Sequence, residues 1–456
     1  MEYMDFVKKQ IAASSAGLCA MSDSIWEFAE IRYQESKSSA LQRKTLEEHG
    51  FSIRTDIAGI PTAFTATYGA GKPVIAILGE FDALEDLSQE ADCCEPRKKD
   101  SCSNGHGCGH NALGSAGVYA AIAVKEYLRQ YGGQGTIRYF GCPAEEGGSG
   151  KTFMVRSGAF EGVDIALTWH PNYYTSIIKT GSLANVRCVF RFHGISSHAA
   201  ASPQLGRNAL SAVELMNIGV NYYREHLIPE ARIHYAVTNS GGDASNIIQK
   251  EAEVVYAIRA PKVPQIGDIL KRVEKIAQGA ALMTETTMES RIISGYSDYI
   301  SNPVVERTVA EFLRENHVCG FSEEELAYAK RFADTNDCGY NVLPEGCVMH
   351  DGVLSPMPML GSTDVGDVSW NVPTAQFYMA CYAKGTCLHS WQATAQGKSS
   401  LMHKAAVEAA TVLALSAARF FETPTLVAEA KEAFDQQLAG EHYTCPIPGE
   451  TVPGLS

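Results

Sequence analysis

The stretch of sequence that decides the fold runs from residue 74 to residue 82 and reads VIAILGEFD. Its first five residues are apolar and rich in β-branched side chains, which predicts a strand buried on both faces. Comparable strand patterns occur at 62–68, 136–141 and 164–168, and helical patterns occur at 40–49 and 112–130. Because helices separate several of these strands, we predict an α/β fold with a mostly parallel sheet and helices on both faces.

A different pattern begins near residue 185. Strand patterns at 186–192, 233–239, 252–260 and 286–294 combine with helical patterns at 206–226 and 267–284. The resulting β-α-β-β-α-β order is that of a ferredoxin-like unit. We therefore predict a second domain at 185–301, inserted into a first domain formed by 1–184 and 302–456. The first domain resumes with a helix at 303–316, a strand at 374–381 and helices at 399–421 and 423–438.

Composition and charge exclude several classes of protein. The 456 residues are 45% apolar and 20% charged, with a formal net charge of −14. An acidic surface of this kind repels nucleic-acid phosphates and anionic lipids, so we expect neither as a partner. We find no signal peptide and no window of membrane-spanning length, and we expect a cytoplasmic protein.

Thirteen cysteines, an odd number, are spread along the chain, which suits reduced thiols better than a disulfide framework. Three of them, Cys93, Cys94 and Cys102, lie in a polar stretch at 85–104. We predict a loop with incidental thiols there, and a structural zinc site remains the alternative.

Groups suited to metal binding follow the ends of the predicted strands. The strand at 74–78 leads to Glu80 and Asp82, the next to Glu145 and Glu146, and a third to His170. A fourth strand, at 374–381, is followed by His389. Parallel strands present their carboxyl ends at one edge of a sheet, so these side chains are expected to converge there.

The segment at 106–110 reads HGCGH and adds Cys108 and His110 to this set. Glycines on both sides of Cys108 allow a tight turn around an ion. The alternative is a glycine-rich turn with an incidental cysteine, and the acidic pair could likewise be a solvated turn.

Five candidate ligands are too many for one tetrahedral zinc ion, which predicts two metal ions that share a ligand and leave a position open for water. The five are Cys108, His110, Glu146, His170 and His389. Adjacent side chains after a strand point apart, so Glu146 can bind metal while Glu145 acts as general base. The implied reaction is amide hydrolysis.

These segments resemble the di-metal amidohydrolases that include hippurate hydrolase, auxin-conjugate hydrolases, aminoacylase, carboxypeptidase G and p-aminobenzoyl-glutamate hydrolase. The resemblance covers nearly the whole chain, from EFDAL at 80–84 through PAEE at 143–146 to 385–390. The segments at 105–111 and 361–367 look most like the branch of p-aminobenzoyl-glutamate hydrolase B subunits.

The resemblance implies a di-zinc aminopeptidase-like catalytic domain with two Mn²⁺ or Zn²⁺ ions. It implies the same five metal ligands, Glu145 as the catalytic acid and base, and Asp82 as the aspartate that orients a ligand histidine. It also implies substrate contacts from His198, Asn246 and Arg259, with 185–301 serving as a lid and dimerisation domain.

The implied substrate is an N-acyl amino acid, in particular an aryl-glutamate such as p-aminobenzoyl-glutamate, and the implied assembly is a homodimer or a pair with a paralogous subunit. The chain departs from the pattern at Glu80, where some relatives have a metal-binding histidine, and in the loop at 85–104.

Other functions compete with this prediction. One is a dipeptidase or aminoacylase of the same family, and another is a catalytically silent subunit that binds metal. A third is a cysteine hydrolase with Cys108 as nucleophile and His110 as base, which would leave Glu146, His170 and His389 without a role.

Overall fold

The computed structural model describes residues 2–132, 134–179, 181–336, 342–359 and 361–454. The chain forms two compact units. The first comprises Met1–Thr180, Ile300–Met359 and Val368–Tyr443, and the second comprises Gly181–Tyr299, Leu360–Asp367 and Thr444–Ser456. Two short segments that we assigned to the first domain therefore group with the second unit.

The helices and strands are numbered along the chain. The α-helices are α1 (Glu2–Phe28), α2 (Ser36–Glu48), α3 (His110–Tyr131), α4 (Glu145–Gly148), α5 (Gly150–Arg156), α6 (Ala209–Tyr223), α7 (Val263–Thr284), α8 (Pro303–Glu315), α9 (Glu323–Ala333), α10 (Val365–Ser369), α11 (Trp391–Gln396), α12 (Ser400–Glu422) and α13 (Pro424–Leu438). The strands are β1 (Ser52–Thr55), β2 (Phe64–Ala70), β3 (Val74–Glu80), β4 (Gly135–Cys142), β5 (Ile165–Asn172), β6 (Ser176–Lys179), β7 (Ala184–His193), β8 (Arg232–Asn239), β9 (Glu251–Ala260), β10 (Thr287–Tyr296), β11 (Met357–Pro358) and β12 (Thr374–Ala380).

The sheet of the first unit has eight strands in the order β1-β2-β4-β3-β5-β12-β6-β11. Its four central strands, β4, β3, β5 and β12, are mutually parallel. The outer strands β1 and β2 pair antiparallel with their neighbours, and β6 pairs antiparallel with β12 but parallel with β11. All seven residues of β3 are buried, as the unbroken apolar run predicts. The four parallel strands thus present their carboxyl ends at one edge.

Helix α3 packs closely on β3 because small residues line the contact. Gly114 lies so near the end of β3 that an added Cβ would stand 2.4 Å from the carbonyl oxygen of Glu80. A side chain there would push the helix away from the strand. Since α3 begins at His110, this close approach sets the height of that histidine above the sheet edge.

The second unit contains a four-stranded antiparallel sheet in the order β10-β7-β9-β8, with α6 and α7 packed on it. The chain order β7-α6-β8-β9-α7-β10 matches the predicted β-α-β-β-α-β pattern. Buried Asp367 explains why 360–367 joins this unit, since its carboxylate accepts hydrogen bonds from the backbone N–H and the hydroxyl of Ser297.

The sequence predicted no window long and apolar enough to cross a membrane, and this was wrong for α12. Among the described residues, this one helix has the required length and hydropathy. Most of it is buried, and it packs against α1 and α3. Its apolar character is therefore that of a core helix.

The loop at 85–104 carries the three thiols for which a loop with incidental thiols or a structural zinc site was predicted. No group of three or more candidate ligands in the described chain includes Cys93, Cys94 or Cys102. Instead, the buried Gln89 side chain donates to the Glu95 carbonyl oxygen at 2.8 Å and accepts from the backbone N–H of Arg97 at 2.8 Å. The expectation of reduced cysteines holds for eleven free thiols, whereas Cys387 is disulfide-bonded.

Two helices of the first unit differ in whether the side chain of the residue before the helix caps it. Asn302 is buried and caps α8, accepting from the N–H groups of Val304 and Val305 and donating to the carbonyl oxygen of Ala430 at 2.8 Å. Thr423 precedes α13, as predicted, but its hydroxyl makes no capping hydrogen bond.

Replacing Asn302 with alanine should therefore lower the free energy of unfolding by roughly 2 kcal/mol or more, because it removes the cap and leaves a buried carbonyl unsatisfied. The matched variant Thr423→Ala should change it by less than about 0.5 kcal/mol. Urea unfolding monitored by circular dichroism measures both, and equal losses would contradict this assignment of the caps.

Candidate metal centre

The carboxylate of Asp82 joins two of the predicted ligands. It lies just past the end of β3, is 1% exposed, and accepts a hydrogen bond from His110 Nδ1 at 2.9 Å. Its second oxygen accepts from the backbone N–H of Glu146 at 2.8 Å. With Nδ1 donating to Asp82, the lone pair of His110 Nε2 is left for a metal ion, and Glu80 lies 3.3 Å from that nitrogen.

Cys108, His110 and His170 form the first group of candidate ligands. Their ligand atoms lie within 4.8 Å of one another. The thiol sulfur of Cys108 is 3.4 Å from His170 Nε2, and His170 Nδ1 donates to the carbonyl oxygen of Pro171 at 2.9 Å. This hydrogen bond turns Nε2 of His170 toward the thiol.

A second group comprises Cys108, Glu146 and His389. His389 Nε2 lies 3.0 Å from a carboxylate oxygen of Glu146. The backbone N–H of His389 donates to the carbonyl oxygen of Gly107 at 2.8 Å, which holds two segments distant in sequence together. Cys108 belongs to both groups, so the five predicted ligands converge with the thiol between them.

The protonation of this cluster favours a cation. Burial and Glu146 raise the pKa of the Cys108 thiol. His170 and His110 lower it by more, so that the pKa falls to about 6. Burial also raises the pKa of Glu146, yet the hydrogen bond with His389 brings it to about 2. Hydrogen bonds to Cys108 and Glu146 raise the pKa of His389 to about 11. A buried thiolate and carboxylate thus require positive charge close by.

The donor set fits divalent metal ions. A thiolate, imidazole nitrogens and a carboxylate are the ligands that zinc accepts in proteins. His110 Nε2 is buried and has no hydrogen-bond partner among the described residues, which is the condition expected of a nitrogen reserved for a metal ion.

The turn that carries the cluster depends on Gly109. This residue has φ +77°, a conformation that favours glycine, and an added Cβ would lie 2.5 Å from the Tyr382 hydroxyl oxygen and 2.8 Å from Pro171. A side chain at this position would therefore displace Cys108 and His110 from the sheet edge. The glycines around Cys108 have a packing reason as well as a conformational one.

A third group contains Glu80, His110 and Glu145. Glu80 is buried beside Lys151, whose side chain is fully buried and whose ammonium nitrogen lies 2.5 Å from Glu80 Oε1. Burial raises the pKa of Glu80, but Lys151, His110 and His170 together outweigh burial, and the pKa is lowered. Lys151 was missed from the sequence because a lysine in a polar helix start gives no sign of burial.

A comparison of the chain with known proteins identifies its family. Residues 76–454 match the model of peptidase family M20/M25/M40. The chain belongs to this family. It is 43% identical to the B subunit of p-aminobenzoyl-glutamate hydrolase from Escherichia coli (strain K12), over 99% of each chain. It is 28% identical to a Xaa-Arg dipeptidase of Mus musculus, over 95% of this chain and 92% of that one.

Solved structures share the fold of this M20 chain. The structure of an aminobenzoyl-glutamate utilization protein from Klebsiella pneumoniae superposes with a TM-score of 0.60 at 16% identity, over 90% of this chain and 98% of that one. Membership of the family makes the protein a hydrolase of the amidohydrolase and peptidase type, as predicted.

The three predicted substrate contacts of this M20 protein lie in the second unit and do not converge there. The backbone N–H of Ala199, next to exposed His198, donates to the carbonyl oxygen of Asn246 at 2.9 Å, beyond the start of β9. Arg259 lies near the other end of β9, eight residues after Glu251. At about 3.3 Å per residue, Arg259 lies roughly 26 Å along the strand from Glu251, which Asn246 precedes.

Two more buried residues lie near the cluster, and of these Glu35 was not predicted from the sequence. Glu35 accepts from the backbone N–H of Ala144 at 2.8 Å, which fixes the residue before Glu145. Burial and nearby Asp82 raise the pKa of Glu35 to about 8. His106 contacts the carbonyl oxygen of Ile25 through Nε2 at 3.0 Å, and it belongs to none of the groups of candidate ligands in the described chain.

The buried Lys151–Glu80 pair gives a test of how this centre is held. Replacing Lys151 with methionine leaves a carboxylate buried without its partner, and should lower the free energy of unfolding by about 3–5 kcal/mol. The double variant Glu80→Gln, Lys151→Met should lose much less than the two single losses added together.

The control is the exposed pair Lys330–Asp334, in which Lys330→Met should cost less than about 1 kcal/mol. Chemical unfolding of the four variants measures these effects. Additive losses in the double variant would contradict a direct interaction between Lys151 and Glu80.

Proposed function

We propose that this protein hydrolyses the amide bond of an N-acyl amino acid, specifically an aryl-glutamate such as p-aminobenzoyl-glutamate. The observation that carries the proposal is the pair of ligand groups that share Cys108, with Glu145 beside them. The 43% identity to a relative named as the B subunit of p-aminobenzoyl-glutamate hydrolase supports the choice of substrate. A relative named Xaa-Arg dipeptidase makes a dipeptide the alternative substrate class.

Two divalent ions, Mn²⁺ or Zn²⁺, would be held by the five ligands. In one group these are His110 and His170, in the other Glu146 and His389, with Cys108 common to both. Such ions supply polarisation of the amide carbonyl and a water that ionises near neutral pH. The thiolate favours zinc, whereas the carboxylates also suit manganese.

Glu145 would move the proton during hydrolysis. It directly precedes Glu146, is only partly buried, and has a carboxylate oxygen within 4.8 Å of ligand atoms of His110 and Glu80. From there it can accept the proton of the attacking water and deliver it to the leaving amide nitrogen. Asp82 takes no proton in this scheme, because its two oxygens hold His110 and the backbone of Glu146.

The substrate would be held by Arg259, His198 and Asn246. A guanidinium is suited to the substrate carboxylate through two parallel hydrogen bonds. His198 Nδ1 accepts from the N–H groups of Ala200 and Ala201, so its exposed Nε2 carries the hydrogen and can donate to the oxygen of the scissile carbonyl.

A homodimer would bring these groups to one substrate. Glu251 lies roughly 26 Å along β9 from Arg259, and Asn246, which His198 adjoins, precedes Glu251, so we infer that all three do not contact one small molecule within a single chain. A second copy would supply His198 and Asn246, and the segment 185–301 would act as the lid and dimerisation domain. A paralogous subunit could replace the second copy, since a relative at 29% identity is named as the A subunit of the same hydrolase.

We also propose that the protein acts in the cytoplasm on a small molecule, with no nucleic acid or membrane as partner. The net charge of −14 supports this. A cysteine hydrolase is the competing mechanism, favoured by the thiol pKa of about 6 and by His170 Nε2 at 3.4 Å from the sulfur. It gives no role to Glu146 and His389, and it replaces the predicted base His110 with His170.

Replacing Glu145 with glutamine should lower kcat for p-aminobenzoyl-glutamate hydrolysis by a factor of about 10² to 10⁴, because the proton carrier is lost, while metal content stays unchanged. The matched variant Glu146→Gln should lose metal as well as turnover. Product release and metal analysis on the same samples measure both. Full turnover in Glu145→Gln would eliminate its role, and full turnover after chelation would favour the thiol mechanism.

Complementation tests the proposed dimer. His198→Ala and Arg259→Ala should each be nearly inactive alone. Mixed dimers from co-expression should regain up to about a quarter of wild-type activity, since one of their two sites has both residues intact under the symmetry of a two-fold interface. If mixing restores no activity although mixed dimers form, both residues act within one chain and the dimer proposal is wrong.

A further inference from the structure

A polar cleft lies on one face of the first unit's sheet, at the end formed by β1, β2 and β4. It has a volume of about 320 Å³. Strand register sets its lining, since Arg54 pairs with Thr65 and Arg138 pairs with Thr67. Side chains two residues apart on a strand share a face, so all four point to the same side. The opposite wall is Ser157–Ala159, directly after α5.

Two arginines face this cleft without a compensating carboxylate. The backbones of Arg54 and Arg138 pair within the sheet, but within the described chain neither guanidinium group makes a hydrogen bond or an ion pair. Glu161 reaches Gly158 near the opposite wall, but it forms no ion pair with either arginine. Burial and the charge of Arg54 lower the pKa of Arg138, which indicates that the two guanidinium groups act on one another.

Hydroxyl donors lie between the two arginines. Thr65 is buried and Thr67 is half-buried on the intervening strand β2, and their hydroxyls make no hydrogen bond in the part of the chain that is described. Arg138 also lies over the ring of Phe140, 6.0 Å from its centroid, and Phe140 stacks on Phe160 at 4.3 Å. The cleft therefore combines two cations and two free hydroxyls.

These features define the ligand chemistry. Guanidinium groups recognise the oxygens of carboxylates and phosphates through paired N–H donors. A volume of about 320 Å³ admits a small molecule rather than a polymer. The chain has a net charge of −14, so a cleft with two unpaired arginines is a local region of positive charge. A bound anion would neutralise this charge.

We propose that this cleft binds a small oxyanion, a carboxylate or phosphate group, between Arg54 and Arg138 with hydrogen bonds from Thr65 and Thr67. None of the five candidate metal ligands lines the cleft. The site is thus distinct from the metal centre, and it does not depend on the proposed function. The link between them is α5, which begins after Glu146, carries Lys151 and leads into the cleft wall.

Isothermal titration of the metal-loaded full-length protein tests this proposal. Inorganic phosphate and glutarate are titrated separately in chloride buffer at constant ionic strength. One saturable site is expected for at least one of them, and the better ligand tells phosphate from carboxylate. Arg54→Gln and Arg138→Gln should each raise Kd at least tenfold, which is about 1.4 kcal/mol. The control Arg307→Gln, an exposed arginine on α8, should leave Kd unchanged.

Thr67→Val provides a second variant that keeps the charge and shape of the cleft, and it should weaken binding several-fold. Arg54→Gln alters an exposed side chain and should leave hydrolysis and thermal stability unchanged, which separates loss of binding from misfolding. If the anion bound at the metal centre instead, none of these substitutions would change its Kd. The same Kd in wild type and both arginine variants, or no saturable binding of either anion, would overturn the proposal.

Discussion

The buried carboxylate of Asp82 is the constraint on which the metal-ligand cluster depends. One oxygen orients the His110 ring and the other holds the backbone of Glu146, so a single side chain sets the distance between two strand ends. Both interactions are charge-assisted hydrogen bonds in a buried site, where they are stronger than in water. Another ligand, His389, is held beside the cluster by a hydrogen bond from its backbone N–H to the carbonyl oxygen of Gly107.

Buried titratable groups around this cluster are paired or neutral. Lys151 neutralises Glu80, whereas the pKa of Glu35, which holds the residue before Glu145, is raised to about 8 and keeps this carboxyl largely protonated at neutral pH. Removing one partner of such a pair is costly, because the other is left in a site of low polarity. The centre therefore relies on a shell of compensating groups that extends from β3 to α5 and to the start of α2.

The sequence predicted the parts of the structure that follow from local pattern. Strands at the sheet centre were recognisable from apolar runs such as 74–78, and the ligands from their position after each run, because parallel strands end at one edge. Helix α1 was not predicted. Its buried residues are diluted by serines and a glycine, and its packing on α3 and α12 outweighs that weak propensity.

Contacts between distant segments could not be predicted from the sequence. The contacts of four residues are made with neighbours many residues away in the chain: Lys151, Glu35 and the two arginines of the polar cleft. Glu80 was noted only as a departure from relatives that have a metal-binding histidine at this position, and it lies 3.3 Å from His110 Nε2. The length of β9 likewise lies between Arg259 and the segment of Asn246, and this separation was not visible in the sequence.

The number of metal ions bound per chain tests the central claim most directly. Native mass spectrometry of the full-length protein, after dialysis against Zn²⁺ or Mn²⁺ and removal of loosely bound ions, gives this number. The shared position of Cys108 in two ligand groups predicts two ions per chain with at least one of these metals. A protein that binds one ion or none under both conditions would contradict the account.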